Sequence, residues 1–186
     1  MLATAPKARP CEYAPCGRPF IPQRISQKVC GPACAGRLVK EVKKAERADT
    51  RARKEKLKTI AELIAAAQVA FNAYVRQRDR DKGCFVCGKP FQDIPGCVQH
   101  AGHVRSRGAA GHLRFVEDNC MGECEGCNGP RGAKPHQIKA GAIARIGKAR
   151  FDELEADNRT HKWQRDELIA IRALYKLKLK QLKESE

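Results

Sequence analysis

At 186 residues, with 5% aromatic and 31% charged side chains, the chain has too little large apolar material for one extensive core; small cores stapled by metal answer that shortage. Lys plus Arg outnumber Asp plus Glu by 37 to 21, a formal net charge of +16, which favours phosphate-rich partners through counterion release. No apolar run approaches the roughly 20 residues of a membrane span, which excludes a membrane-embedded function.

Residues 1–10 are polar and Pro-bearing and are expected to be a disordered leader without a signal region. Eight of the 10 cysteines fall into four close pairs, unlike a secreted disulfide framework, so the expected compartment is reducing and cytoplasmic. The first two pairs, Cys11 with Cys16 and Cys30 with Cys34, define a zinc ribbon or knuckle at residues 11–35. Phe20 and Val29 are available to pack on its loops.

Residues 36–80 lack Pro, and lack Gly after Gly36, in a composition that favours helix. Between residues 37 and 58 ten Lys/Arg face four Asp/Glu, either as a solvated helix or as an arm that grips a DNA backbone. From Thr59 the pattern changes: Ile60, Leu63, Ile64, Ala67, Phe71 and Tyr74 recur at helical spacing and make one apolar stripe. Asp81, Lys82 and Gly83 are expected to end that helix.

Residues 81–135 carry the chemistry. Cys84-x-x-Cys87 and Cys124-x-x-Cys127 supply four thiolates, enough for a second tetrahedral Zn²⁺. Short alternations at Val98 and His100, and at Leu113 and Phe115, predict a bent hairpin between the knuckles. His103 lies inside this frame and can accept a proton near pH 7, as a general base must. Asn128 directly follows the last cysteine, where the knuckle fixes its backbone, and offers a carbonyl oxygen to a hard cation such as Mg²⁺. Asn119 can brace the loop through side-chain-to-backbone hydrogen bonds. Arg105, Arg107 and Arg114 surround the histidine and are candidates for binding DNA phosphates. Residues 136–186 return to helix in three pieces, with Gly147 stopping the first and Leu168, Ile171, Tyr175 and Leu182 forming a stripe on the last.

The order C-x-x-C, Gly102-His103-x-x-Ser106-Arg107-Gly108, Leu113-Arg114-Phe115, an Asn, and Cys-x-x-Cys-Asn resembles the phage lambda NinG (Rap) recombination endonucleases, of HNH or His-Me finger type. The likeness covers roughly residues 9–182. It implies an α+β, mostly helical fold: a zinc-bound treble-clef ββα-metal core flanked by long helices, with a small N-terminal zinc module. It further implies Mg²⁺- or Mn²⁺-dependent cutting of branched DNA such as Holliday junctions and D-loops, in a bacterial host's cytoplasm. Carried over by position, His103 is the base, Asn119 the brace and Asn128 the distal metal ligand. Two structural zinc ions complete the cofactors, and symmetrical cutting of a junction calls for a homodimer, with the apolar stripes at Ile60–Tyr74 and Leu168–Leu182 as candidate interfaces.

One departure stands out. Many of these nucleases have an acidic metal ligand just before the base, and this chain has Gly102 there. His100 is a substitute ligand if the strand bends, since in a regular strand it faces away from His103. His136 is an alternative to Asn128, and His112 an alternative phosphate contact. His161 and Trp163 read as cap and packing groups, and Cys97 and Cys120 as buried thiols or parts of a further metal site. A zinc-bearing DNA-binding protein without cleavage is the alternative function, favoured by Gly102.

Overall fold

The computed structural model describes residues 7–129 and 132–185. It is a mostly helical α+β structure with two small sheets, and it divides into two compact units, residues 1–58 and 59–186. Residues 1–6 of the expected leader lie outside the described part. Arg9 and Pro10, at the leader's end, instead form a strand.

In the first unit that strand, β1 (Arg9–Pro10), pairs antiparallel with β2 (Pro19–Phe20). Gly17, with φ at 57°, turns the chain between them, a conformation that costs glycine nothing. Helix α1 (Pro32–Leu57) follows, with Pro at its start and Cys34 in its first turn. Of its 26 residues only Cys34 is buried, so the helix is held at its root and solvated along its length. The unit's core is accordingly small: Cys11, Val29 and Cys34, backed by Tyr13, Phe20 and Leu38.

The second unit opens with α2 (Ile60–Arg78), whose start is fixed by a reciprocal cap. Thr59 Oγ1 accepts the Glu62 N–H at 3.3 Å, and the Glu62 carboxylate accepts the Thr59 N–H at 2.7 Å. The helix ends at Arg78, three residues before the expected stop signals, because the buried Asp79 is held by other bonds. Its carboxylate accepts the Gly122 N–H at 2.9 Å and pairs with Arg78 and Lys82.

Strands β3 (Gln99–His103) and β4 (Cys120–Cys124) form the second sheet, with His103 opposite Cys120 and His100 opposite Glu123. The hairpin's return strand is therefore not at Leu113–Phe115. Those residues lie in a loop of short 3-10 turns, where Leu113 and Phe115 are buried in two separate clusters. A strand there would point both the same way.

Helices α3 (Glu125–Asn128), α4 (Pro135–Ile146), α5 (Lys148–Ala156) and α6 (Arg165–Glu184) complete the unit. The hairpin is packed on both faces. On one, Ala101 and Cys120 meet α2 and α6, where Phe71 makes edge contacts with Tyr175 at 4.7 Å and Phe115 at 5.8 Å. On the other, Met121 and Val104 meet Phe85, Ala142 and Phe151. The apolar stripes of α2 and α6 thus pack on each other, which removes them as candidate dimer surfaces. Glu117 ties the loop to both helices through Tyr74 Oη at 2.8 Å, Tyr175 Oη at 3.4 Å and Lys178.

Candidate functional site

Both tetracysteine clusters assemble as the spacing predicts, and each set of four sulfurs lies within 4.8 Å of one another. Four thiolates about 2.3 Å from a tetrahedral zinc stand about 3.8 Å apart. Cys16–Cys30 and Cys30–Cys34 are 3.6 Å apart, and Cys87–Cys124 are 3.8 Å apart. Spacing and chemistry both fit zinc, so both clusters could hold it. No third cluster exists among the described residues: Cys120 is buried in the main core and Cys97 is half-buried in its loop.

In the second cluster the ligands come from a tight turn and a helix start. Cys84 N–H donates to the Lys89 carbonyl at 2.9 Å and Gly88 N–H to the Cys84 carbonyl at 2.9 Å, with Gly88 at φ 73°. Cys124 caps α3 and Cys127 lies inside it, so Asn128 sits at the end of a helix anchored by two ligands. Asn128, His100 and His103 border one groove of ≈ 380 Å³, together with Asn72, Arg76, Ala101, Ser106 and Arg107. Strand alternation turns His100 and His103 to opposite faces, yet both reach this groove; among the described residues β3 pairs with β4 alone, which leaves its other edge without a strand. No bend between them is needed.

His103 is half-buried, with its ring 6.4 Å from that of Phe71. Its Nε2 lies 3.0 Å from the Arg114 carbonyl oxygen. A carbonyl only accepts, so this nitrogen carries the proton and Nδ1 is left as the acceptor. Among the described residues the polar neighbour of Nδ1 is a weak donor, the Cys120 thiol at 3.8 Å. Burial holds the imidazole below its usual range, and the charges of Arg107 and Arg114 act in the same direction. The ring is therefore neutral at pH 7.

Asn119 is fully buried and bridges the two ends of the loop that carries the site. Its Oδ1 accepts the Arg105 N–H at 2.8 Å, and its Nδ2 donates to the carbonyls of Arg105 at 3.1 Å and Leu113 at 3.2 Å. Position 114, whose carbonyl holds His103, directly follows that anchor.

The three arginines part company. Arg107 is exposed at the groove, with no ion-pair partner among the described residues. Arg114 is half-buried, 3.4 Å from Gln68 Oε1, and does not border the groove. Arg105 turns away altogether: its guanidinium donates to the carbonyls of Leu154 at 2.8 Å and Asp157 and to Asn158 Oδ1 at 2.9 Å. These are groups at and just beyond the end of α5, where a helix leaves carbonyls unsatisfied and favours a cation. Arg105 is thus a strut, not a phosphate ligand.

His136 lies in a different groove with Val104, Lys139 and Phe151, which separates it from His103. His112 is engaged by Asp157, and His161 by Glu167 and the Trp163 ring. Sequence reasoning overlooked Asn72 and Arg76. Their signal was present: residues 68, 72 and 76 follow each other at i, i+4 on α2, a polar row beside the apolar stripe. It also overlooked Glu123, 4% exposed in β4, whose carboxyl burial alone pushes up to about 7.

The model of the family described as Bacteriophage Lambda NinG protein matches residues 3–186. The chain is 36% identical to Protein ninG of Salmonella phage P22, over 95% of each chain. It is 35% identical to Protein ninG of Escherichia phage lambda, over 99% of this chain and 98% of that one. A further relative, Protein ninG of Escherichia phage 933W, is 38% identical over 72% of this chain and 64% of its own. No solved structure matches. With a family match along nearly its whole length and full-length relatives above one-third identity, the chain belongs to the phage NinG family.

Proposed function

We propose that the protein is a metal-dependent endodeoxyribonuclease that cuts branched DNA, such as Holliday junctions and D-loops, in phage recombination. In this reading β3, β4 and α3 form a treble-clef ββα-metal core of His-Me finger type. One observation carries it: a neutral imidazole, its tautomer locked by a backbone carbonyl, borders the same groove as an amide fixed on a tetracysteine knuckle and two guanidinium groups that have no partner among the described residues.

The chain's own residues divide the work. His103 Nδ1 takes a proton from the water that attacks phosphorus, while Nε2–H stays on the Arg114 carbonyl and keeps the ring aimed. Arg76 and Arg107 hold the phosphate against the groove. Asn119 keeps the loop ends in register, so the base does not drift. A divalent cation, Mg²⁺ or Mn²⁺, held by Asn128 and His100, would supply charge neutralisation at the phosphate and the departing 3′-oxygen. The basic row Lys40, Lys43, Lys44, Arg47 and Arg51 on α1 contacts backbone phosphates, which read branched geometry without base contacts. Cutting both strands of a junction needs two such centres, hence a homodimer in the host cytoplasm.

The test is a labelled four-way junction incubated with purified protein, with and without Mg²⁺ or Mn²⁺. Wild type should cut, and His103→Ala should bind the junction without cutting. Equal cutting by both removes His103 from the mechanism. Gly102, where an acidic ligand is usual in such sites, favours a second reading: a DNA-binding recombination accessory. Under that reading both proteins bind the junction and neither cuts with either metal.

A further inference from the structure

Glu123 presents a physical problem that the site described so far does not solve. It lies in β4, 4% exposed, and its carboxylate has neither a hydrogen-bond donor nor a cation among the described residues. Buried carboxylates are ordinarily paired, hydrogen-bonded or bound to metal, because desolvation without compensation is costly. The nearby Asp79 shows the ordinary solution, with the Gly122 N–H, Arg78 and Lys82 all around it.

Two neighbours define what Glu123 faces. The first is Gly102. A Cβ built there would overlap Glu123 Oε2 and stand 2.9 Å from both Cβ and Cδ of Glu123. The carboxylate therefore fills the volume that a side chain at position 102, immediately before His103, would occupy. The second is His100, the direct cross-strand partner of Glu123, whose side chain shares that face of the sheet. His100 has no hydrogen-bond partner among the described residues either, and it borders the groove with Asn128. The imidazole borders the groove that holds an amide oxygen, and the carboxylate, unsatisfied like it, stands beside the imidazole on the same face of the sheet. Such a donor set suits Mg²⁺ or Mn²⁺.

We propose that Glu123, delivered from β4 through the gap left by Gly102, is with His100 the acidic ligand of the divalent cation in this groove. The inference rests on the endonuclease reading and supplies the acid that reading lacks. Glycine at 102 is then a requirement of the site: the acid comes from the facing strand, and its carboxylate needs the room.

Mn²⁺ binding to the zinc-loaded protein, followed by electron paramagnetic resonance of the free ion, tests this apart from cleavage. Glu123→Gln keeps the size and removes the charge; Gly102→Ala keeps the charge and displaces the carboxylate. Each should weaken Mn²⁺ binding by roughly 10- to 100-fold or more, the scale on which metal sites respond to loss of support, with zinc content unchanged. The exchange variant Gly102→Asp/Glu123→Gly returns a carboxylate from the other strand and should regain Mn²⁺ affinity. Wild-type Mn²⁺ affinity in both single variants overturns the assignment, as does a wild-type protein that binds no Mn²⁺. Should Glu123→Gln lose zinc, the Gly102→Ala result decides. Failure of wild type to cut junctions would overturn the endonuclease reading instead, and leaves the Mn²⁺ measurement standing by itself.

Discussion

In the N-terminal unit Cys34 lies in the first turn of a 26-residue helix, whereas in the second unit Cys127 lies in a four-residue helix that ends at Asn128. The ligands are the same and the products differ. The long helix carries a basic row outward from its anchored start. The short one stops, so the residue after the last cysteine is held in place. Backing differs as well. The first cluster is itself most of its unit's core, while the second leans on a hairpin packed on both faces. Four thiolates make a scaffold; what the chain does in the next two residues decides whether the scaffold bears a site.

Zinc removal should separate the two most sharply. Structural zinc is worth about 10–16 kcal/mol in small zinc-finger peptides. Cys11→Ser should therefore strip amide protection from residues 9–38 in hydrogen exchange. Cys84→Ser should abolish junction cleavage while α2 and α6 keep theirs, because their packing does not pass through the metal. Loss of protection in α2 and α6 would make zinc essential to both units alike. Smaller in effect, Asn119→Ala leaves the Arg105 N–H without its acceptor and the Arg105 and Leu113 carbonyls without their donor. Chemical denaturation should report a loss of about 1–3 kcal/mol, with cleavage reduced and zinc content intact.

The pH profile isolates the site further. A general base works when neutral, and His103 is held below the ordinary imidazole value of 6.5. The acid limb of kcat/KM should therefore lie below pH 6.5, with a plateau through neutral pH; a limb above 7 would mean that another group is the base. The smallest effect belongs to α1. Charge reversal at Lys43 or Arg47 should weaken junction binding and lower the salt-dependence slope by about one for each lost phosphate contact, without moving the cleavage rate of bound junction.

What could be read from the chain follows the range of the forces involved. The cysteine clusters were legible because short spacings specify them. The i, i+3, i+4 stripe revealed α2, and only the fold could show that α6 was its partner. β4 escaped because its five residues, Cys-Met-Gly-Glu-Cys, are bounded by cysteines and carry no alternation. They become a strand by pairing with β3 and by burial on both faces. Arg105 was misread for a related reason. Its partners lie 49 to 53 residues away, mostly at backbone carbonyls, and nothing in a basic loop distinguishes a strut from a phosphate hand. Glu123 was passed over because its isolation is a property of packing alone.

The bond from His103 to position 114 is made to main chain, and that has an evolutionary consequence. Any amino acid placed at 114 still offers the same oxygen, so the imidazole's aim is insulated from drift in that side chain. The charge beside the base can then be retuned, from guanidinium to amine or to nothing, without disturbing the proton arrangement on the ring.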